Sequence, residues 1–89
     1  MAQVADGSPE AGREAIRKHA WREAFEVLSG ADEAGGLGAE DLERLAHAAW
    51  WTGYLDGCIS ARERAYSAYV EAGDKRGAAR VAMAVAKDY

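Results

Sequence analysis

Cysteine occurs once, at Cys58, so no disulfide can brace this chain from within. At 89 residues it is one domain at most, and packing has to hold it together. Proline and phenylalanine also occur once each, and Val and Ile are sparse. That scarcity argues against a sheet, which draws on β-branched and aromatic residues. Long hydrophobic runs are missing too. None approaches the roughly 20 residues needed to span a bilayer. The opening residues, Met1 to Asp6, lack the basic start and apolar centre of a signal peptide. Basic excess is absent: 11 Lys and Arg stand against 15 Asp and Glu, a net charge of −4. A chain of that balance lacks the basic patch that phosphate backbones require. Lone cysteine, no leader and no span together lead us to expect a reducing, cytoplasmic setting.

What is abundant is alanine, the strongest helix former, and 49% of the residues are apolar. The periodicity predicts an all-α chain of about five helices. Residues 1–8 are small and polar and are expected to be flexible. Ser8-Pro9-Glu10 reads as a helix start, with Ser as N-cap and Pro at the first helical position. Helix 1 is expected over about 9–19 and helix 2 over about 21–29, forming a first hairpin over 9–29. The glycine-rich stretch 29–38 is the long breaker. Helix 3 is expected over about 39–53 and helix 4 over about 55–72, a second hairpin over 39–72. Gly53 suits a left-handed helix end, and Gly73-Asp74 forms the next turn. A terminal helix is expected over 75–89, with Ala78, Val81, Ala82, Val85, Ala86 and Tyr89 on one face. The expected core is Trp21, Leu28, Leu45, Trp50, Leu55, Ile59, Tyr66 and Val81.

The chain repeats itself. Ala24 and Cys58 stand 34 residues apart, and that offset lays helices 1 and 2 over helices 3 and 4. Gly12 then matches Ala46, Ala15 matches Ala49, and Ala31 matches Ala65. Val81-Ala82-x-x-Val85 repeats Leu45-Ala46-x-x-Ala49 at an offset of 36. A 34-residue helical hairpin resembles the tetratricopeptide repeat, W-x2-L-G-x2-Y then A-x3-F then P. The departures are Leu42 for Trp, Ala49 for Tyr, Arg62 for Phe, and no closing Pro.

A second resemblance rests on Ala49-Trp50-Trp51-Thr52-Gly53, Leu55-Asp56-Gly57, Ala61-Arg62-Glu63-Arg64-Ala65-Tyr66 and Gly73-Asp74, in that order. With Gly12-Arg13-Glu14-Ala15, Trp21 and Ala24, these resemble the helical-repeat region of actinobacterial LuxR-type transcriptional regulators. The resemblance implies a tetratricopeptide-like stack of antiparallel hairpins in a regulatory setting. The family's DNA-binding helix-turn-helix has no counterpart in these residues, so direct nucleic-acid binding is not carried over.

For chemistry the sequence offers little. His19 and His47 have no metal-ligand spacing around them. Cys58 sits at a small-residue repeat position and reads as a packed thiol. Gly35-Gly36-Leu37-Gly38 lacks the spacing of a phosphate cradle and reads as a connector. No catalytic site, metal or cofactor is expected. In a hairpin array the first helix of each pair lines a concave groove. That places Arg13, Arg17, Arg44, His47, Trp51, Met83 and Lys87 as candidate groove residues, suited to carboxylates through the guanidinium fork. The expected function is a non-enzymatic module for protein or peptide interaction, with a homodimer through the C-terminal helix as one form. Small-molecule sensing between hairpins is the alternative.

Overall fold

A computed structural model describes residues 8–88 and, among them, five helices and no strand. The flexible start is expected over 1–8; residues 1–7 and Tyr89 lie outside the described residues, and Ser8 belongs to the cap of the first helix. The helices are α1 (Pro9–Arg17), α2 (Trp21–Glu33), α3 (Ala39–Trp51), α4 (Leu55–Glu71) and α5 (Lys75–Asp88). They pack in chain order as antiparallel neighbours, α1 on α2, α2 on α3, α3 on α4 and α4 on α5. In addition α1 meets α3, as expected for hairpins stacked side by side.

Local chemistry sets the boundaries. Ser8 caps α1, its Oγ accepting from the Ala11 amide at 3.2 Å, and Pro9 opens the first turn. Asp74 caps α5 in the same way, accepting from the Gly77 amide at 2.9 Å. Helix α2 runs to Glu33, past the expected stop at 29, because an isolated glycine at Gly30 does not break a helix whose far side is packed. The two hairpin turns are copies of each other. His19 (φ 59°) and Gly53 (φ 84°) both adopt the left-handed conformation, one repeat apart. After each, a backbone amide reaches back to close the helix: Ala20 to Ala15 and Tyr54 to Ala49, both at 2.9 Å. Histidine tolerates that conformation better than most side chains.

The core is built of small residues. Ala24, Leu28, Ala46, Ala48, Ala49, Cys58, Ala65 and Val81 are fully buried. The repeat shows in this burial, since Ala24 with Cys58 and Ala31 with Ala65 are buried alike. Leu28 fills the space over Gly12, where a Cβ would run into its side chain. Tyr69 lies against Gly77 in the same manner.

Three residues assigned to the core are not in it. Trp50 is 43% exposed, Leu55 47% and Tyr66 42%, while Trp21 and Ile59 are half-buried. On α4 the buried line is Cys58, Ala61, Ala65 and Tyr69, spaced three to four apart. The bulkier residues Leu55, Tyr66 and Val70 lie to one side of it. On α3 the buried arc includes Asp41 and Ala48, because α1 and α2 press on that side. Trp50 falls just past its opposite edge.

Adding a methyl separates the tight contacts from the loose ones. Gly12→Ala should destabilise by about 1–3 kcal/mol, since the buried Leu28 has nowhere to go. At Gly57 the obstructing Tyr54 ring, 2.6 Å from a built Cβ, is 54% exposed and can swing away. Gly57→Ala should therefore be neutral or stabilising by up to about 1 kcal/mol through helix propensity. Urea unfolding of both variants checks this, and equal losses would show that Gly12 is not a packing contact.

Candidate functional site

A concave groove runs between α3 and α5, with α4 as its floor. One cavity of about 470 Å³ is lined by Glu40, Glu43, Arg44, His47, Arg62, Tyr69 and Arg80. A second, of about 280 Å³, is lined by His47, Trp50, Trp51, Arg62, Ala84 and Lys87. His47 and Arg62 line both, so the two cavities adjoin along one trough.

The first end is braced by ion pairs. Arg80 grips Glu43 through two bonds, Nε at 2.8 Å and an amino group at 2.9 Å. The Tyr69 hydroxyl donates to Glu43 Oε1 at 2.7 Å and accepts from Arg80 at 3.1 Å. One residue from each of α3, α4 and α5 is thus tied at a single point. The Arg80 bond holds the Glu43 carboxyl below the usual carboxylate range, against the pull of burial. Burial and the neighbouring Glu43 push the Tyr69 phenol up to about 12.

The other end is aromatic. Trp21, from the start of α2, lies between three rings. Its centroid is 5.2 Å from His19, 5.0 Å from His47 and 5.7 Å from Trp51. The His19 and Trp51 rings stack nearly parallel to it, at 17° and 14°. Burial, then the charge of Arg62, then His19 lower the pKa of His47. Its imidazole is therefore neutral at pH 7. Trp51 remains 57% exposed despite its stack, leaving a flat indole surface on the groove wall.

Arg62 is the unexpected member. One repeat earlier, Leu28 fills the same position and is fully buried. Arg62 is half-buried on the floor, its Nε donating to Cys58 Sγ at 3.3 Å. A cation thus stands where the repeat pattern calls for a large apolar side chain.

Of the seven candidate groove residues, the structure brings Arg44, His47, Trp51 and Lys87 together along the trough. Arg13 is committed elsewhere, forked onto buried Asp41 at 3.0 and 2.8 Å. Arg44 also bonds Asp41, at 2.8 Å. Arg17 pairs with Glu14 on its own helix. Met83 is 74% exposed and lines neither cavity. The sequence reading missed Arg62, Arg80, Tyr69 and Trp50. The offsets carried a signal for two of them, since Arg62 replaces Leu28 at 34 and Arg80 answers Arg44 at 36.

Among the described residues, no group of three or more His, Cys, Asp or Glu is placed to hold a metal ion, and no helix is long and apolar enough to cross a membrane. No known protein family, curated protein or solved structure matches the chain.

The ion pairs carry a pH dependence. Asp41, bonded first by Arg13 and then by Arg44, has its carboxyl held below its ordinary value. A lowered carboxylate contributes stability that is complete above the unfolded-state value, about 3.9, and is lost as pH falls through the folded-state value. Asp41→Asn should cost about 1–2 kcal/mol at pH 7, with Arg13 and Arg44 both partly in water. It should also flatten the fall in Tm below about pH 4. A variant whose acid limb matches the parent's would remove Asp41 from that account.

Proposed function

We propose that this chain is a non-enzymatic protein-interaction module that receives a partner segment in the trough between α3 and α5. The observation that carries this reading is that two cavities adjoin at His47 and Arg62. A trough with ion-paired walls at one end and a tryptophan wall at the other has the mixed polar and aromatic lining that recognises peptides. The regulatory setting rests on the resemblance to the helical-repeat region of LuxR-type regulators, carried by Ala49 to Gly53 and Ala61 to Tyr66.

Selection of peptides from a random display library against the intact chain tests this. Selected peptides should lose roughly tenfold or more in affinity for Trp51→Ala, the loss typical of an aromatic anchor. The helical circular dichroism should stay unchanged. Peptides that bind Trp51→Ala as well as the parent, or a chain that selects only small molecules in a thermal-shift screen, would overturn the reading.

Self-association is favoured by a separate observation. The outward side of α5 exposes Ala79, Ala82, Met83 and Ala86, with Tyr66 of α4 beside Ala82. The small side chains would let a second α5 approach closely in a two-fold dimer. Sedimentation equilibrium should then show a dimer in the parent and a monomer in Met83→Glu. A parent that is monomeric across micromolar concentrations rejects it.

A further inference from the structure

Resting on the self-association reading, we infer that α5 of a second copy lies antiparallel across α4 and α5, with Met83 of each copy seated in a cavity of the other beside Tyr66. The first ground is that cavity. It holds about 330 Å³ and is lined by Glu63, Tyr66 and Ser67 of α4 and by Ala82 and Val85 of α5. The ring, the methyl and the isopropyl group make it suited to an aliphatic or thioether side chain.

The second ground is what covers the same groove one repeat earlier. An offset of 34 takes Glu63, Tyr66 and Ser67 back to Ser29, Asp32 and Glu33 of α2. An offset of 36 takes Ala82 and Val85 back to Ala46 and Ala49 of α3. There α4 lies over the groove. Ser29, Asp32 and Glu33 share one cavity with Gly57, Ala61 and Arg64, and Arg64 is forked onto Asp32 at 2.8 and 2.6 Å. Under that cover Ala46 and Ala49 are fully buried. Their counterparts are not, since Ala82 is exposed and Val85 only half-buried. The repeat thus shows what kind of element this face receives: a helix antiparallel to the one beneath it.

The third ground is that α5 itself matches the covering helix. Helix α4 buries Cys58, Ala61 and Ala65, spaced by three and then four residues. Helix α5 exposes Ala79, Ala82 and Ala86 at the same spacing. A two-fold axis normal to α5 lays a second α5 antiparallel on the first, which is the direction α4 takes on α3. With the axis beside Ala82, the neighbouring Met83 of each copy reaches across to the other. Met83 is 74% exposed and takes no part in lining its own copy's cavity. Unbranched and flexible, its thioether fits an irregular space and gains from contact with the Tyr66 ring. Two-fold symmetry makes every such contact twice.

Mild oxidation of cysteine variants of the whole chain, with sedimentation equilibrium beside it, tests this. Cys58 is fully buried and should leave the oxidised parent unlinked. Ala82→Cys should give a disulfide-linked dimer, because its two copies meet at the axis. Ala79→Cys should not, since three residues from the axis at about 1.5 Å each set its two copies roughly 9 Å apart along the helices. Linking of both variants would mean parallel helices and overturns the proposal. Met83→Ala and Tyr66→Ala should each weaken the dimer roughly tenfold, and Met83→Leu should keep most of its strength. Both side chains are exposed in the single copy, so the helical circular dichroism should not change. A dimer that tolerates Met83→Ala and Tyr66→Ala, or that leaves Ala82→Cys unlinked, overturns this arrangement while self-association stands. A parent that stays monomeric across micromolar concentrations overturns both, and gives the face to a helix of different sequence.

Discussion

Close approach of helices at small residues is the constraint on which everything else depends. A chain so poor in Val, Ile and Phe cannot fill wide gaps between helices. It narrows the gaps instead, placing Gly12 beneath Leu28, Gly77 beneath Tyr69, and Ala24, Cys58 and Ala65 at full burial. Tight contacts of this kind give dense packing from little apolar volume, and they tolerate no added methyl. They also leave little interior room beyond what Leu28, Leu42, Leu45, Tyr69 and Val81 fill. Trp50, Trp51, Tyr54 and Tyr66 are therefore displaced to the helix margins, and Trp50 and Trp51 then line the groove.

That constraint also explains which parts of the fold could be read in advance. Helix number, the turns at Gly53 and Gly73, and the cap at Ser8 all follow from local rules, and local rules were legible; the cap at Asp74 reads from sequence only as part of a turn. The repeat was legible through its small positions, and the left-handed His19 one repeat before Gly53 shows the same turn built from a different residue. The core assignment failed where bulk was taken as the sign of burial. On α3, Trp50 is turned about 80° from Leu42 at 100° per residue, and the buried arc ends about halfway between them, at Ala46. On α4, Leu55, Tyr66 and Val70 trace an apolar stripe, but the helix buries Cys58, Ala61 and Ala65 instead. Where helices meet through alanine, as along α4, the small residues are a better sign of the core than the bulky ones.

The site was legible by halves for a similar reason. Residues along the first helix of a hairpin share a face by period alone, so Arg44, His47 and Trp51 could be grouped from sequence. What each charge pairs with is a matter of partners distant in the chain. Arg13 meets Asp41 across 28 residues and Arg80 meets Glu43 across 37, and no spacing rule announces either. Arg13 looked like a groove cation and is instead a strut between α1 and α3. The floor residue belongs to a different helix from the walls, which is why Arg62 entered the site only once α4 was seen beneath it.

The struts bear on recognition as well as on folding. The Glu43, Tyr69 and Arg80 cluster joins three helices at one end of the trough, and Asp41 joins Arg13 and Arg44 beside it. These pairs are partly open to water, so each adds little to stability by itself. Their geometric effect is larger, because a forked guanidinium fixes the relative position of the two helices it joins. A groove whose width is set before a ligand arrives spends less of the binding free energy on ordering its walls. The same pairs balance the charges of Glu43 and Asp41 beside the trough. Shape and polarity of the groove thus have a single origin, the pairing of its charges across helices that the small residues have already brought together.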